Sequence, residues 1–150
     1  MASRAFSGLS LGLFVALAVL SLSLLPSSPV FAATITVNST ADDDIDNDGE
    51  CTLREAIMAA NSDTASGVAA GECLAGSGTD TINFDITTNE GAGPHTISPS
   101  TLLPEIVDPV NINGYSETGA SANTAPSPLP LDTVIMVEVD GSAAPADTSG

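Results

Sequence analysis

A chain of 150 residues with 19 acidic and only two basic residues has a formal net charge of −17; its length suits one domain. Such a chain repels phosphate backbones, because it has nothing to replace their counterions, so nucleic acid is excluded as a partner and an anionic membrane surface with it. The charge suits divalent cations and salty or extracellular surroundings.

The first element is a targeting segment. A short basic start, Met1 to Arg4, precedes an uncharged apolar run from Leu11 to Leu25. Pro26 breaks the run, and Val30 and Ala32 are small residues at the two positions that matter before a cleavage site. This pattern predicts a signal peptide, residues 1–32, cut after Ala32. The run is short of the ~20 residues that a membrane span needs, and no later run is long and apolar enough. The mature chain would keep one cation, Arg54, against 19 acids, a formal charge of −18.

After the cut, Ile35 and Val37 alternate with Thr34, Thr36 and Asn38, which predicts a half-buried strand. An acidic loop follows, and then the one convincing helix, "TLREAIMAAN". Leu53, Ala56, Ile57 and Ala60 share one helical face. Thr52 is a natural N-cap, and Glu55 three residues later completes a capping box. From Ser62 to Gly78 the chain is a small, polar loop containing Cys73.

The two cysteines, Cys51 and Cys73, are an even count in a chain read as exported, which favours a disulfide. Closing that loop would constrain the unfolded chain by ~3 kcal/mol in the entropic account. Two free thiols or half of a metal site are the alternatives. With His95 as the single histidine, zinc has too few ligands.

Beyond Gly78 the period changes to two. Ile82, Phe84 and Ile86 fall on one face, and "HTIS" repeats this around Ile97. "TLLPEIVDPVNINGYS" carries Leu102, Leu103, Ile106, Val110 and Ile112, broken by Pro104 and Pro109. "TVIMVEVDGS" is the last strand, with Ile135, Val137 and Val139 on one side. Residues 117–131 are a Pro/Ala/Ser-rich loop, and 142–150 carry no signal for structure. No further helix alternates with the strands, so a doubly wound sheet is disfavoured. The fold class is mainly β, its segments resembling irregular coils of a solenoid. A solenoid of this length would need more turns to bury its face, so the chain is read as a truncated part of a larger one.

The acidic loop carries the only pattern with a specific chemistry. With Asp44 at position one, Asp46 and Asp48 fall at three and five, and Gly49 at six, where a calcium loop turns sharply. Glu50 would offer its backbone carbonyl, Thr52 stands at nine, and Glu55 at twelve would close the shell. Calcium needs six to eight oxygens at about 2.3–2.6 Å, which alternating carboxylates supply when the chain curls. The same pattern is open to a second reading, a solvated Asx-rich turn that needs no metal. A strand, not a helix, precedes the loop, unlike an EF-hand. Glu55 is claimed by both metal and cap.

Other residues are weaker. His95 follows Gly-Pro and is expected to be exposed. Arg54 is expected to pair with an acid beside the helix. Asn38 starts an Asn-Ser-Thr sequon, and no G-x-S-x-G nucleophile motif occurs.

"CTLREAIMAAN", Cys51 to Asn61, resembles the CSLREA domain, with Thr52 in place of the serine. A preceding "ITV" strand, an acidic stretch, a second cysteine and a following "DTINF" strand agree with it. The resemblance covers Ala33 to Ser116. It implies an N-terminal cap, residues 33–78, leading into the first coils, residues 79–141, of a right-handed parallel β-helix. It makes Thr52, Arg54 and Glu55 structural cap residues and transfers no catalytic residue. The implied function is an exported, non-enzymatic cell-surface or secreted protein, adhesin-like or structural in the envelope, calcium being the one candidate cofactor. A surface or carbohydrate partner is left open. The alternative is a carbohydrate-active β-helix enzyme, a polysaccharide lyase or glycoside hydrolase, whose catalytic part lies elsewhere. Arg54 alone is available as a lyase base, and no carboxylate pair can be placed for a hydrolase.

Overall fold

The structure is a computed structural model that describes residues 31–145. The apolar segment read as a signal peptide lies, up to residue 30, outside the described residues.

Alternation forms the first strand. In β1, Thr34–Val37, Ile35 and Val37 are buried while both threonines face out. The chain then crosses over through the acidic loop and helix α1, Leu53–Ser62, to β2, Asp80–Phe84. β2 lies parallel to β1, with Thr34 opposite Thr81 and Val37 opposite Phe84. A second crossover carries the short helix α2, Thr87–Glu90, and the strand β3, His95–Ile97. It ends in β4, Val110–Asn113, parallel to β2 on its other side. The first sheet therefore has the order β1-β2-β4, each crossover adding the next strand in chain order. A last strand, β5, Val137–Val139, pairs in parallel with β3 to make a second sheet.

The core sits between these strands and α1. Ile35, Val37, Ile82, Phe84, Ile86 and Ile97 meet Leu53, Ala56, Ile57, Ala59 and Ala60 of the helix. Each fully buried isoleucine or leucine contributes about 1.5–3 kcal/mol. Small residues at 59 and 60 let the 74–79 loop close in, and Gly76 N donates to the Ala59 carbonyl at 3.2 Å.

The helix begins as its sequence predicts. Thr52 is extended, its hydroxyl accepts from Glu55 N at 3.2 Å, and Glu55 Oε2 accepts from Thr52 N at 2.9 Å. The reciprocal pair satisfies two amides that the first turn would leave bare. Asp63, in left-handed conformation, ends the helix.

Two apolar stretches differ from expectation. Residues 98–109 form no strand. Pro104 and Pro109 remove ladder donors, and the backbone is held by side chains of α1 instead. Arg54 donates to the carbonyls of Leu102 and Thr101 at 2.9 and 3.3 Å. Asn61 donates to the Glu105 carbonyl at 2.8 Å and accepts from the amides of Val107 and Asp108. Leu102 and Ile106 are exposed, and only Leu103 packs against the core. The last strand is likewise limited to three residues, with Ile135 and Val139 exposed, not buried on one face.

The 117–131 loop folds back by an antiparallel bridge between Ser121 and Val134. Near the end, where no structure was expected, a 3-10 turn at Gly141–Ala143 is capped by Asp140. Among the described residues, no helix is long and apolar enough to cross a membrane.

Candidate cation site

The acidic loop runs between β1 and α1 and turns at Asn47 and Gly49, both with positive φ, 68° and 87°. Gly49 therefore stands where the sequence pattern required a sharp turn. The loop is stapled to the 64–73 segment. The predicted disulfide joins Cys51 and Cys73, both buried. Around it, Glu72 Oε1 accepts from Gly49 N at 2.8 Å and Glu72 Oε2 from the Ser66 hydroxyl at 2.8 Å. Asn47 Oδ1 accepts from Val68 N at 2.8 Å. Gly71, at φ 103°, lies so close to the Gly49 carbonyl that no side chain would fit.

The structure divides the predicted ligands into two groups. Asp44, Asp46 and Glu55 line one cavity of about 230 Å³, shared with Met58, Ser62 and Ser66. Asp44 and Asp46 are exposed, whereas Glu55 is only 3% exposed and its Oε1 has no hydrogen-bond partner. Asp48, Glu50 and Thr52 are engaged within the loop. Asp48 Oδ1 accepts from Glu50 N at 2.9 Å, an Asx-type turn. Glu50 Oε2 accepts from the Ser39 hydroxyl, and the Thr52 hydroxyl donates to the Asp43 carbonyl. Among the described residues, no three carboxylate, histidine or cysteine groups converge closely enough to hold a metal ion.

The electrostatics of the loop are those of uncompensated negative charge. Burial raises the Glu55 pKa above the usual carboxylate value, and Glu72 and Asp48 raise it further, against the hydrogen bonds from Thr52. Asp43 Oδ1 is a second buried oxygen without a partner. A cation placed among these groups would relieve both the desolvation of Glu55 and the repulsion.

The remaining side chains are structural. Arg54 pairs with Asp42 at 2.7 Å, an acid beside the helix as expected. Burial pushes the Asp42 carboxyl up, but hydrogen bonds from Ser100 and Arg54 outweigh it and hold the pKa low. His95 is buried, contrary to expectation: it opens β3, and its Nε2 lies 3.2 Å from the Thr87 hydroxyl. The turn of α2 covers it, a contact that the local Gly-Pro sequence does not announce.

Two carboxylates were missed by sequence reasoning. Glu72 adjoins Cys73, so the predicted disulfide was itself the signal that this acid returns to the loop. Glu117 lies in the Pro/Ala/Ser-rich stretch and is 2% exposed. It accepts from the amides of Ile86, Thr87 and Thr118 at 2.7, 3.2 and 3.0 Å. Burial pushes its pKa up, yet hydrogen bonds from Thr87, Ile86 and Thr118 lower it overall. Nothing in its neighbouring sequence marks it.

No protein-family model, curated protein or solved structure matches the chain. The functional reading therefore rests on the residues and their geometry.

Proposed function

We propose that the chain is an exported, non-enzymatic surface or envelope protein, adhesin-like or structural, whose residues 33–78 cap the first coils of a right-handed parallel β-helix. The observation that carries this reading is the stacking of parallel strands in chain order, β1-β2-β4, beside a second parallel pair, β3 and β5. Successive crossovers that add strands in order are what coiling requires. The similarity of "CTLREAIMAAN" to the CSLREA motif supports the same reading, since its Arg54 and Asn61 anchor the 100–108 segment and its Thr52 and Glu55 form the cap. These are architectural tasks.

Calcium stabilises the cap in this reading. Glu55 Oε1, buried and unpartnered beside Asp44 and Asp46, is the favouring observation. Binding would require the exposed Asp44 and Asp46 to move toward Glu55, since no such group converges among the described residues.

Two experiments test the proposal. The mature protein is incubated with acidic polysaccharides and the products are analysed; chain cleavage would overturn the non-enzymatic reading in favour of a lyase or hydrolase. Calcium is titrated by calorimetry into the same protein, with Asp44→Ala and Glu55→Gln as controls. Binding should stabilise the fold by about 2.7 kcal/mol at roughly 100 times Kd. Absence of heat together with an unchanged Tm would remove calcium from the proposal.

A further inference from the structure

Asp80 opens β2 on the face that carries Ile82 and Phe84, and it is fully buried. Its Oδ1 accepts two hydrogen bonds, from Ala33 N at 3.0 Å and Ser77 N at 2.8 Å. Its Oδ2 has no partner. The backbone of Gly76 stands against that oxygen so closely that no side chain would fit between them. A buried carboxylate with an unsatisfied oxygen is costly unless a cation faces it. The only Lys or Arg among the described residues is Arg54, which is held by Asp42.

Of the two nitrogens that face Asp80, that of Ser77 is a mid-chain amide and the other belongs to Ala33. That residue is also the one that the signal-peptide pattern makes the first of the mature chain. Before processing, its nitrogen is a neutral amide with a single N–H. Hydrolysis of the Ala32–Ala33 bond consumes one water, leaves a carboxylate on Ala32, and frees the nitrogen, which takes up a proton as an α-ammonium with three N–H donors. We propose that this processing step supplies the positive charge that Asp80 lacks: the Ala33 ammonium, placed beside Oδ1, forms a partly buried ion pair with its carboxylate and locks the start of β1 onto β2. The inference rests on the reading of residues 1–32 as an export signal.

The surroundings fit this role. Ala33 is already in register, because its carbonyl accepts from Thr81 N at 2.9 Å. Phe31 is 75% exposed and Ala32 is exposed too, so their removal uncovers no core. The contacts around Asp80 come from the 76–77 backbone and from Pro109, just before β4, whose carbonyl accepts from Asp80 N. None of these supplies a positive charge. The carboxylate thus has a donor geometry suited to a chain terminus and no side-chain cation to compete for it.

The test compares three forms of the mature protein: beginning at Ala33, beginning at Ala33 but Nα-acetylated, and retaining Phe31 and Ala32. Each is made with Asp80 and with Asp80→Asn, and Tm is measured. The free Ala33 form should melt several degrees above the other two, and that gap should vanish with Asp80→Asn. The terminal amine should also react with an acylating reagent about ten times more slowly than the amine of the extended form, because the facing carboxylate holds it protonated. If Asp80→Asn does not fold, the acetylated form, which removes only the charge, carries the comparison. Equal Tm for the free and acetylated forms, or a gap that survives Asp80→Asn, would overturn the ion pair. N-terminal sequencing of the protein recovered from an exporting host separates this from the export reading. Ala33 as first residue supports the inference; another first residue on an exported protein overturns it alone; a retained, uncut chain overturns both.

Discussion

The two ends of the described chain carry similar strand patterns but differ in burial. Around α1, Ile35, Val37, Ile82 and Phe84 are almost wholly removed from solvent. Toward the other end, Ile112, Ile135 and Val139 alternate in the same way, yet each is roughly half exposed or more. No residue after Ile97 belongs to the fully buried apolar core among the described residues. The difference is the second layer. α1 packs on β1 and β2, and the disulfide and loop close the remaining side. β4 and β5 have neighbours within their sheets, but Ile112, Ile135 and Val137 only line an open cavity of about 460 Å³ with Tyr115, and no second layer among the described residues closes over them. Alternation gives a strand two faces; only an opposing surface turns one of them into core.

This contrast makes testable statements. The largest effect is expected at the centre of the cap: Ile82→Ala should cost about 2–5 kcal/mol, whereas Ile135→Ala should stay within about 0.5 kcal/mol. Chemical denaturation of both variants measures this directly, and comparable losses would mean that the second region has a core of its own. Next comes the staple. Replacing Cys51 and Cys73 by serine should cost ~3 kcal/mol and lower Tm, and reductant should then leave the variant unaffected while lowering the parent.

Glu117 ties the two regions together, since it sits beyond β4 and caps the chain leaving β2 at Ile86 and Thr87. Glu117→Ala would leave buried amides without acceptors, at about 1–3 kcal/mol. Its folded pKa is depressed, so its contribution is present above the unfolded carboxylate value and is lost as pH falls through the folded one. Asp42 behaves in the same sense. Tm of the parent should therefore drop on acidification below roughly pH 4, and Glu117→Gln should flatten part of that slope. Glu55 acts in the opposite sense, because its folded pKa is raised and protonation relieves it. The smallest measurable loss is expected from Thr52→Ala, about 1 kcal/mol for the lost cap, read as a small shift of the denaturation midpoint.

The features legible in the sequence were those decided within a few residues. Thr52 and Glu55 meet because a helix brings positions three apart together, and their reciprocal hydrogen bonds follow from that alone. β1 and β2 were legible because strict alternation admits little else, and Gly49 because a turn with positive φ favours glycine. Part of the candidate site followed the same logic: Asp48 and Glu50 meet locally in an Asx turn.

What escaped the sequence depends on partners far away along the chain. Leu102 and Ile106 look like strand residues, yet Arg54 and Asn61 hold their segment as an irregular strap. His95 looked exposed until α2 covered it. Asp80 shares a face with Ile82 and Phe84, and a polar residue in that pattern is expected at an edge; its two donors, Ala33 N and Ser77 N, reach it through the pairing of β1 with β2 and the loop before β2. The sequence by itself determined the helix and its cap, the first strands, the disulfide and the excess of negative charge, since these need only local geometry or composition. Only the tertiary structure decided which carboxylates are buried, which of them meet at one cavity, and which apolar faces are covered, because desolvation is set by whatever the rest of the chain places opposite.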